Sequence, residues 1–208
     1  CARRGLTVTL QDQNAERLAP AMQRAAELFK RRLRAKGDMR ARIRDATDRL
    51  IPDVTGDGAR QADVIIEAIF ENLEAKRALF AKLEAMARPD AVLASNTSSL
   101  KLAEIGARFA DPSRLVGSHF FNPVAQMQLV EVVSGTRTDA TIAEKAAAFV
   151  RQLDKLPLHV KDSPGCLVNR VLGPYMQQAF RMGDEGMAPE PLDAAMTAFG
   201  MPMGPIEL

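Results

Sequence analysis

The sequence contains no tryptophan and a single tyrosine among its 208 residues. Proteins that bind single-stranded nucleic acid without sequence preference stack the bases on aromatic side chains, so this composition argues against such a partner. Lys and Arg total 28 against 26 Asp and Glu, which leaves a net charge of +2. A charge so close to balance gives no general attraction for a polyanion. We therefore expect no nucleic-acid partner.

Cysteine is also scarce, with Cys1 and Cys166 as the two examples. Two cysteines make no disulfide framework, and this fits a reducing compartment such as the cytoplasm. No apolar run approaches the roughly 18 residues that a membrane-spanning helix needs, so we expect no membrane span. No signal peptide is visible at residue 1.

Extended apolar runs alternate with helical patterns through most of the chain, and this alternation predicts an α/β fold with a largely parallel sheet. After Pro164 and Gly165 the pattern becomes helical only. We therefore predict a domain boundary near residue 162, giving a sheet domain at 1–162 and the start of a helical domain at 163–208. Strands are predicted at 6–10, 62–69, 91–94, 114–120, 128–133 and 156–160, and helices at 14–36, 38–50, 71–87, 141–153, 166–182, 191–199 and from 203 onward.

The first residues resemble the second half of a dinucleotide-binding βαβ unit. A helix turn ending at Gly5 precedes a short strand, and Asp12 follows that strand. In such units an acid at the end of the second strand binds the ribose hydroxyls. The ribose role is one interpretation of Asp12, and a plain turn residue is the other. On the first interpretation the glycine-rich loop and the first strand lie upstream of residue 1, so the sheet domain is expected to be truncated at its N-terminus.

One histidine and one acid stand out in the segment SHFFNPVAQMQLVEVV. His119 lies at the predicted carboxyl end of one strand, where α/β proteins bind ligands, and Glu131 interrupts the apolar run of the next. A carboxylate inside an apolar strand is costly unless it is paired. If the strands are neighbours, the carboxylate can hold one imidazole nitrogen and leave the other free to take a proton. The alternative is a core histidine bonded to backbone, with the acid facing solvent.

Two further segments carry polar groups. The segment ASNTSSL follows a predicted strand, and such clusters commonly cap a helix; its position at the same sheet edge as His119 favours one hydroxyl facing a ligand. The stretch 29–44, FKRRLRAKGDMRARIR, is strongly basic. It is interpreted either as a solvated helix face or as a clamp for a phosphate-rich ligand.

Several motifs in order resemble the L-3-hydroxyacyl-CoA dehydrogenases of fatty-acid β-oxidation. They are EAIFENLEAK, ASNTSSL, SHFFNPV, DSPGCLVNR and GMPMGPIEL, and the likeness covers essentially the whole chain. The sequences of the last two motifs and of the residues beside them are more similar to the dehydrogenase segment of the bacterial multifunctional α-subunit than to the stand-alone enzyme. The resemblance implies a Rossmann-like NAD-binding domain, followed by a helical C-terminal domain, here truncated.

The same resemblance implies catalytic roles for four residues. His119 matches the general base and Glu131 its partner, while Ser98 and Asn169 match the contacts to the substrate oxygen. The reaction is oxidation of L-3-hydroxyacyl-CoA to 3-ketoacyl-CoA. The proton of the 3-hydroxyl would pass to the histidine while the hydride passes to NAD.

Cofactor contacts are implied in the same way. Asp12 matches the ribose-binding acid, Glu71 and Lys76 match contacts near the ribose, and Ser98 and Asn122 match contacts in the cleft. The basic stretch falls where the family receives the CoA nucleotide. No metal is expected in the site. The expected partners are an acyl-CoA substrate, a second copy of the chain in a homodimer and, for a multifunctional parent, a thiolase subunit.

Two alternatives remain open at this stage. One is a non-catalytic CoA- or nucleotide-binding scaffold, although retention of the four-residue set argues against it. The other is a different β-hydroxyacid dehydrogenase, a class that uses a lysine base in place of a histidine–glutamate pair.

Overall fold

A computed structural model describes residues 1–33 and 38–208. The predicted helix over 14–36 includes residues 34–36, and the basic stretch 29–44 includes residues 34–37; these positions lie outside the described residues. The strands are β1 (Val8–Gln11), β2 (Leu50–Asp53), β3 (Val64–Glu67), β4 (Val92–Ser95), β5 (Leu115–Phe120), β6 (Leu129–Ser134) and β7 (Leu156–Lys161). The α-helices are α1 (Ala15–Arg32), α2 (Met39–Asp48), α3 (Leu73–Met86), α4 (Leu102–Ile105), α5 (Ala140–Gln152), α6 (Val168–Asp184) and α7 (Pro189–Phe199).

The strands form two sheets. β1 and β2 pair in parallel as a two-stranded sheet, and the other strands form a five-stranded sheet in the order β3-β4-β5-β6-β7. All neighbours in the larger sheet are parallel except β5 and β6, which run antiparallel. The expected fold class, a mostly parallel Rossmann-like sheet followed by helices, is confirmed.

The central strands β4, β5 and β6 are mostly apolar, His119 and Glu131 apart, because both faces of the larger sheet are covered. Helices α3 and α4 pack on one face, where Phe80 and Ile105 meet Leu93. Helix α5 packs on the other face, where Ala147 meets Val116. The sheet is thereby packed between helices on both faces, and the loops that carry the site follow its strand ends.

The sequence prediction missed β2. A helix was predicted over 38–50, with no strand after it, but α2 ends at Asp48 and Leu50–Asp53 pairs with β1. Pro52 weakens the strand pattern because proline cannot donate a ladder hydrogen bond. Proline is tolerated here because β2 belongs to a two-stranded sheet, in which each strand is an edge strand.

The predicted helix from Met203 was wrong. Residues 201–208 form turns, and Gly204 and Pro205 stand at their centre. The Asp193 carboxylate of α7 accepts the backbone N–H of Ile206 at 2.9 Å, which holds the segment against α7. Among the residues that the structure describes, no helix is long and apolar enough to cross a membrane.

Candidate active site

His119 and Glu131 are hydrogen-bonded to each other inside the protein. The imidazole Nδ1 lies 2.8 Å from Glu131 Oε2. The glutamate side chain is fully buried, and the histidine side chain is 9% exposed. An Nδ1–H that donates to the carboxylate leaves Nε2 as the acceptor nitrogen. The pair therefore has the form of an oriented general base.

The register between β5 and β6 brings the two side chains together. His119 lies directly opposite Glu131 in the antiparallel pair. Directly opposed residues project from the same face with their Cβ atoms about 4.5–5.5 Å apart. The ring of Phe121 also packs on the imidazole, with centroids 4.6 Å apart. The imidazole is thus held by a bond on one edge and a ring on one face.

The second oxygen of Glu131 binds the beginning of α6. Oε1 accepts the backbone N–H groups of Leu167 and Val168, both at 2.9 Å. The N-terminus of a helix favours an anion, since its first N–H groups have no partner within the helix. Three hydrogen bonds thus offset the cost of burying this carboxylate.

The loop after β4 carries Ser98 and is organised by Glu71. The carboxylate accepts hydrogen bonds from the Thr97 hydroxyl, from the Ser99 hydroxyl at 3.0 Å and from the backbone N–H of Ser98 at 3.2 Å. Ser98 itself is exposed. Among the described residues its hydroxyl has no protein partner, so the loop is fixed while that hydroxyl stays available to a ligand.

These bonds change the acidity of Glu71. Burial by itself raises the pKa of the carboxyl, but hydrogen bonds from Thr97, Lys76 and Ser99 outweigh it and lower the pKa from 4.5 to about 2. A carboxyl whose pKa is lower in the folded state stabilises the fold above its unfolded pKa. This stability is lost as the pH falls from 4.5 towards 2.

We expect a Glu71→Gln variant to lose most of this pH dependence. The Glu71 side chain is 34% exposed, so after allowance for solvent screening the effect is about 1–2 kcal/mol. The free energies of unfolding of wild type and variant should differ most at pH 5–7 and converge towards pH 2. Glu104→Gln, at an exposed glutamate of α4, is the control. Parallel curves for wild type and Glu71→Gln would contradict this assignment.

Lys76 lies at the centre of a buried ion network. Its side chain is fully buried, and its ammonium lies 2.7 Å from Glu67 and 3.1 Å from Glu71. The second oxygen of Glu67 accepts the Ser95 hydroxyl at 2.7 Å. The network thus ties α3 to the ends of β3 and β4. Both side chains are bonded to protein groups. Contact of Glu71 and Lys76 with the cofactor stays a prediction.

Asp12 is the first residue after β1, which belongs to the two-stranded sheet. Its Oδ1 accepts the backbone N–H of Asn14 at 2.8 Å. Asp12 lines an open cleft of about 390 Å³ together with Gln11, Arg17 and Arg24. Within the described part of the chain Oδ2 has no hydrogen-bond partner, which leaves one carboxylate oxygen free for a ribose hydroxyl.

Two predicted contact residues are exposed at the edge of the site. Asn169 is the second residue of α6 and follows Val168, whose N–H binds Glu131. Asn122 lies two residues after β5 and is also exposed. The structure thus places Asn169 and Asn122 in the chain near the dyad, and their contacts to substrate and cofactor remain predictions.

Two residues near the dyad were not singled out from the sequence. The Asn96 side chain accepts the backbone N–H of Phe120 at 2.9 Å and so joins the Ser98 loop to the end of β5. Cys166 places its sulfur beside the dyad. Asn96 belongs to the polar segment ASNTSSL, so the sequence could have marked it as a site residue. The position of Cys166 depends on how α6 docks on the sheet.

Comparisons with known proteins agree along the whole chain. A family model for the NAD binding domain of 3-hydroxyacyl-CoA dehydrogenase matches residues 1–163. A second, for the C-terminal domain of 3-hydroxyacyl-CoA dehydrogenase, matches residues 165–208. A Caenorhabditis elegans protein named "Probable 3-hydroxyacyl-CoA dehydrogenase" is 40% identical, over 98% of this chain and 68% of its own length.

Solved structures give the same result. The 3-hydroxybutyryl-CoA dehydrogenase of Escherichia coli superposes with a TM-score of 0.92 at 39% identity, over 99% of this chain. The (S)-3-hydroxybutyryl-CoA dehydrogenase of Ralstonia eutropha superposes with a TM-score of 0.89 at 30% identity, also over 99%. The chain spans 44% of the length of the E. coli protein and 73% of the R. eutropha protein.

Proposed function

The chain belongs to the 3-hydroxyacyl-CoA dehydrogenases, a family of NAD-dependent oxidoreductases, and from this premise we propose that it oxidises L-3-hydroxyacyl-CoA to 3-ketoacyl-CoA in fatty-acid β-oxidation. One observation carries the proposal. It is the buried hydrogen bond of 2.8 Å between His119 and Glu131, next to the exposed start of α6.

In the proposed reaction, His119 removes the proton of the substrate's 3-hydroxyl through Nε2. Glu131 holds the ring and balances the positive charge that grows on it as the proton arrives. Ser98 and Asn169 donate hydrogen bonds to the oxygen that becomes the ketone. NAD, when bound, accepts the hydride that leaves carbon 3.

The residues present fit an NAD adenosine ribose at β1. Asp12 follows that strand and has one free carboxylate oxygen beside an open cleft. We propose that Asp12 binds the ribose hydroxyls, with Asn122, Ser98, Glu71 and Lys76 acting nearer the reacting end of the cofactor. Glu71 and Lys76 would act there chiefly by holding the Ser98 loop in place.

The direct test is reduction of acetoacetyl-CoA by NADH in the full-length protein, followed by loss of NADH absorbance. We expect turnover with acyl-CoA substrates and none with free 3-hydroxy acids. Binding of CoA and NADH without turnover would support the scaffold alternative instead. A series of acyl-CoAs of increasing chain length tests the assignment to fatty-acid oxidation.

We expect a Ser98→Ala variant to lower kcat/KM about fivefold, because one hydrogen bond to the reacting oxygen contributes about 1 kcal/mol. The neighbouring Ser99→Ala variant is the matched control, since the Ser99 hydroxyl bonds Glu71 rather than facing a ligand. Ser99→Ala should lower the melting temperature, because it removes a hydrogen bond to Glu71. Its effect on kcat/KM should be smaller than that of Ser98→Ala. An unchanged kcat/KM in Ser98→Ala would remove this hydroxyl from substrate binding.

A homodimer is proposed for the helical part. Large apolar side chains are exposed on α6 and α7, with Val171 at 66%, Phe180 at 54% and Phe199 at 82%, and contact with a second copy would remove some of this apolar surface from water. Light scattering at several protein concentrations tests the dimer.

A thiolase partner and a cytoplasmic location are further proposals, tested by co-purification and by cell fractionation.

The domain boundary near residue 162 is proposed on the change of element type. Strand β7 ends at Lys161, and the described regular elements after it are helices α6 and α7. Limited proteolysis should cleave first between β7 and α6. Early cleavage inside β5 or β6 would contradict a boundary at this place.

A further inference from the structure

Three metal-ligand atoms meet at the candidate base. One atom each from His119, Glu131 and Cys166 lie within 4.8 Å of one another, and all three residues are buried. The proposed reaction uses the first two and leaves the cysteine without a role. Cys166 is the first residue after Gly165 in the turn that leads into α6, and its backbone has a positive φ of 49°. This turn holds the sulfur beside the dyad.

We propose that His119 Nδ1, a Glu131 carboxylate oxygen and Cys166 Sγ form an inhibitory Zn²⁺ site, in which the metal takes the place of the proton between imidazole and carboxylate. Binding at this site does not depend on the proposed function. Its inhibitory effect rests on that function.

The donor set selects the kind of metal. Nitrogen, oxygen and sulfur donors together suit Zn²⁺, whereas Mg²⁺ and Ca²⁺ prefer oxygen alone. Tetrahedral Zn²⁺ with ordinary bond lengths places its ligand atoms roughly 3.3–3.7 Å apart. The Nδ1–Oε2 separation of 2.8 Å therefore has to widen slightly, and the sulfur, which lies within 4.8 Å of the other ligand atoms, has to move closer to them.

The charges of the complex also cancel. One carboxylate and one thiolate neutralise a divalent cation, so the buried complex carries no net charge. Binding releases the thiol proton to solvent. The Nδ1 proton is replaced by the metal and the neutral imidazole instead carries its proton on Nε2. A fourth metal position remains for water.

Without a metal the thiol has little reactivity of its own. Burial, with the negative charges of Glu131 and Asp162, raises the pKa of Cys166 to about 11. The thiolate is the form that attacks oxidants and alkylating reagents, so oxidation is disfavoured at neutral pH. A cation between the sulfur and Glu131 reverses this effect, since metal coordination deprotonates a thiol.

The metal-bound state cannot act as the base. With Zn²⁺ on Nδ1 and a proton on Nε2, His119 has no lone pair left to accept the substrate proton. Proton removal therefore stops while the fold and the cofactor contacts of Asp12 remain in place. The site would make the enzyme sensitive to free zinc through one cysteine.

Binding is tested directly with Co²⁺, which replaces Zn²⁺ and gives a visible spectrum. We expect one Co²⁺ per chain with a thiolate-to-cobalt charge-transfer band, and Zn²⁺ should displace it. In Cys166→Ser the band should vanish and the Zn²⁺ affinity should fall about 100-fold or more. Cys1→Ser is the matched control because Cys1 is exposed at the other end of the chain. A band that persists in Cys166→Ser, or no cobalt band in the wild type, would overturn the proposal.

Inhibition is tested with buffered Zn²⁺ in the dehydrogenase assay. Wild type and Cys1→Ser should be inhibited and should recover with a chelator. Cys166→Ser and Cys166→Ala should keep the basal rate and resist zinc at least 100-fold better. Equal inhibition of all four proteins would place the zinc elsewhere and overturn the proposal. Cobalt binding needs no substrate, so it stays informative if the protein lacks dehydrogenase activity.

Discussion

A His119→Gln variant of the full-length protein is expected to turn over about 10²–10⁴ times more slowly than wild type, with KM for the acyl-CoA little changed. The amide of glutamine cannot take up the hydroxyl proton at neutral pH. Without a base, hydride loss would leave a protonated ketone. Because most of the acyl-CoA lies away from the reacting oxygen, its binding should survive the substitution.

The other histidine provides a control for His119→Gln. His159 lies on β7, is exposed, and its Nε2 stands 3.5 Å from Glu144 of α5. His159→Gln should leave kcat within about twofold of wild type, as surface substitutions usually have small effects. A kcat for His119→Gln as high as that of His159→Gln would exclude His119 from the chemistry.

A Glu131→Gln variant is expected to lose nearly as much turnover, by a different route. A glutamine can still accept the N–H groups of Leu167 and Val168 through its oxygen. Its NH₂ group then faces His119 Nδ1 and donates to it. This favours the tautomer with the proton on Nε2, where the base has to be free. We expect a fall in kcat of about 10²–10⁴ with a modest loss of stability.

Two measurements separate this tautomer effect from simple misfolding. The ¹⁵N chemical shifts of the His119 ring report which nitrogen is protonated. The protonated nitrogen should be Nδ1 in the wild type and Nε2 in Glu131→Gln. Glu131→Ala should lower the free energy of unfolding by about 3–5 kcal/mol, because it leaves buried donors unpaired. Unchanged turnover and an unchanged pH–rate profile in Glu131→Gln would refute the functional role of the pair.

The pairing of His119 with Glu131 was visible in the sequence as an acid in an apolar strand near a histidine. The antiparallel direction of their strands was not predicted, although a signal for it exists. Strand β5 ends at Phe120 and β6 begins at Leu129. The connection between them is shorter than the dozen or more residues that a parallel crossover needs.

Other features depend on contacts that a linear pattern does not contain. Lys76 follows the helical spacing of Leu73, Phe80 and Leu83 on the buried face of α3, but its burial requires partners from β3 and the segment after it. Cys166 meets the dyad only because the turn before α6 docks against the sheet. Strand β2 was missed because pairing with β1, rather than local preference, holds Pro52 extended.

The carboxylate of Glu131 joins two parts of the molecule at a single point. One oxygen orients the imidazole on β5, and the other accepts the first N–H groups of α6. Any hinge motion that swings α6 away from the sheet breaks the second set of bonds and releases the carboxylate from its fixed rotamer. In the proposed reaction such a motion would also disarm the base, so that proton abstraction would need α6 docked on the sheet, without a separate gating residue.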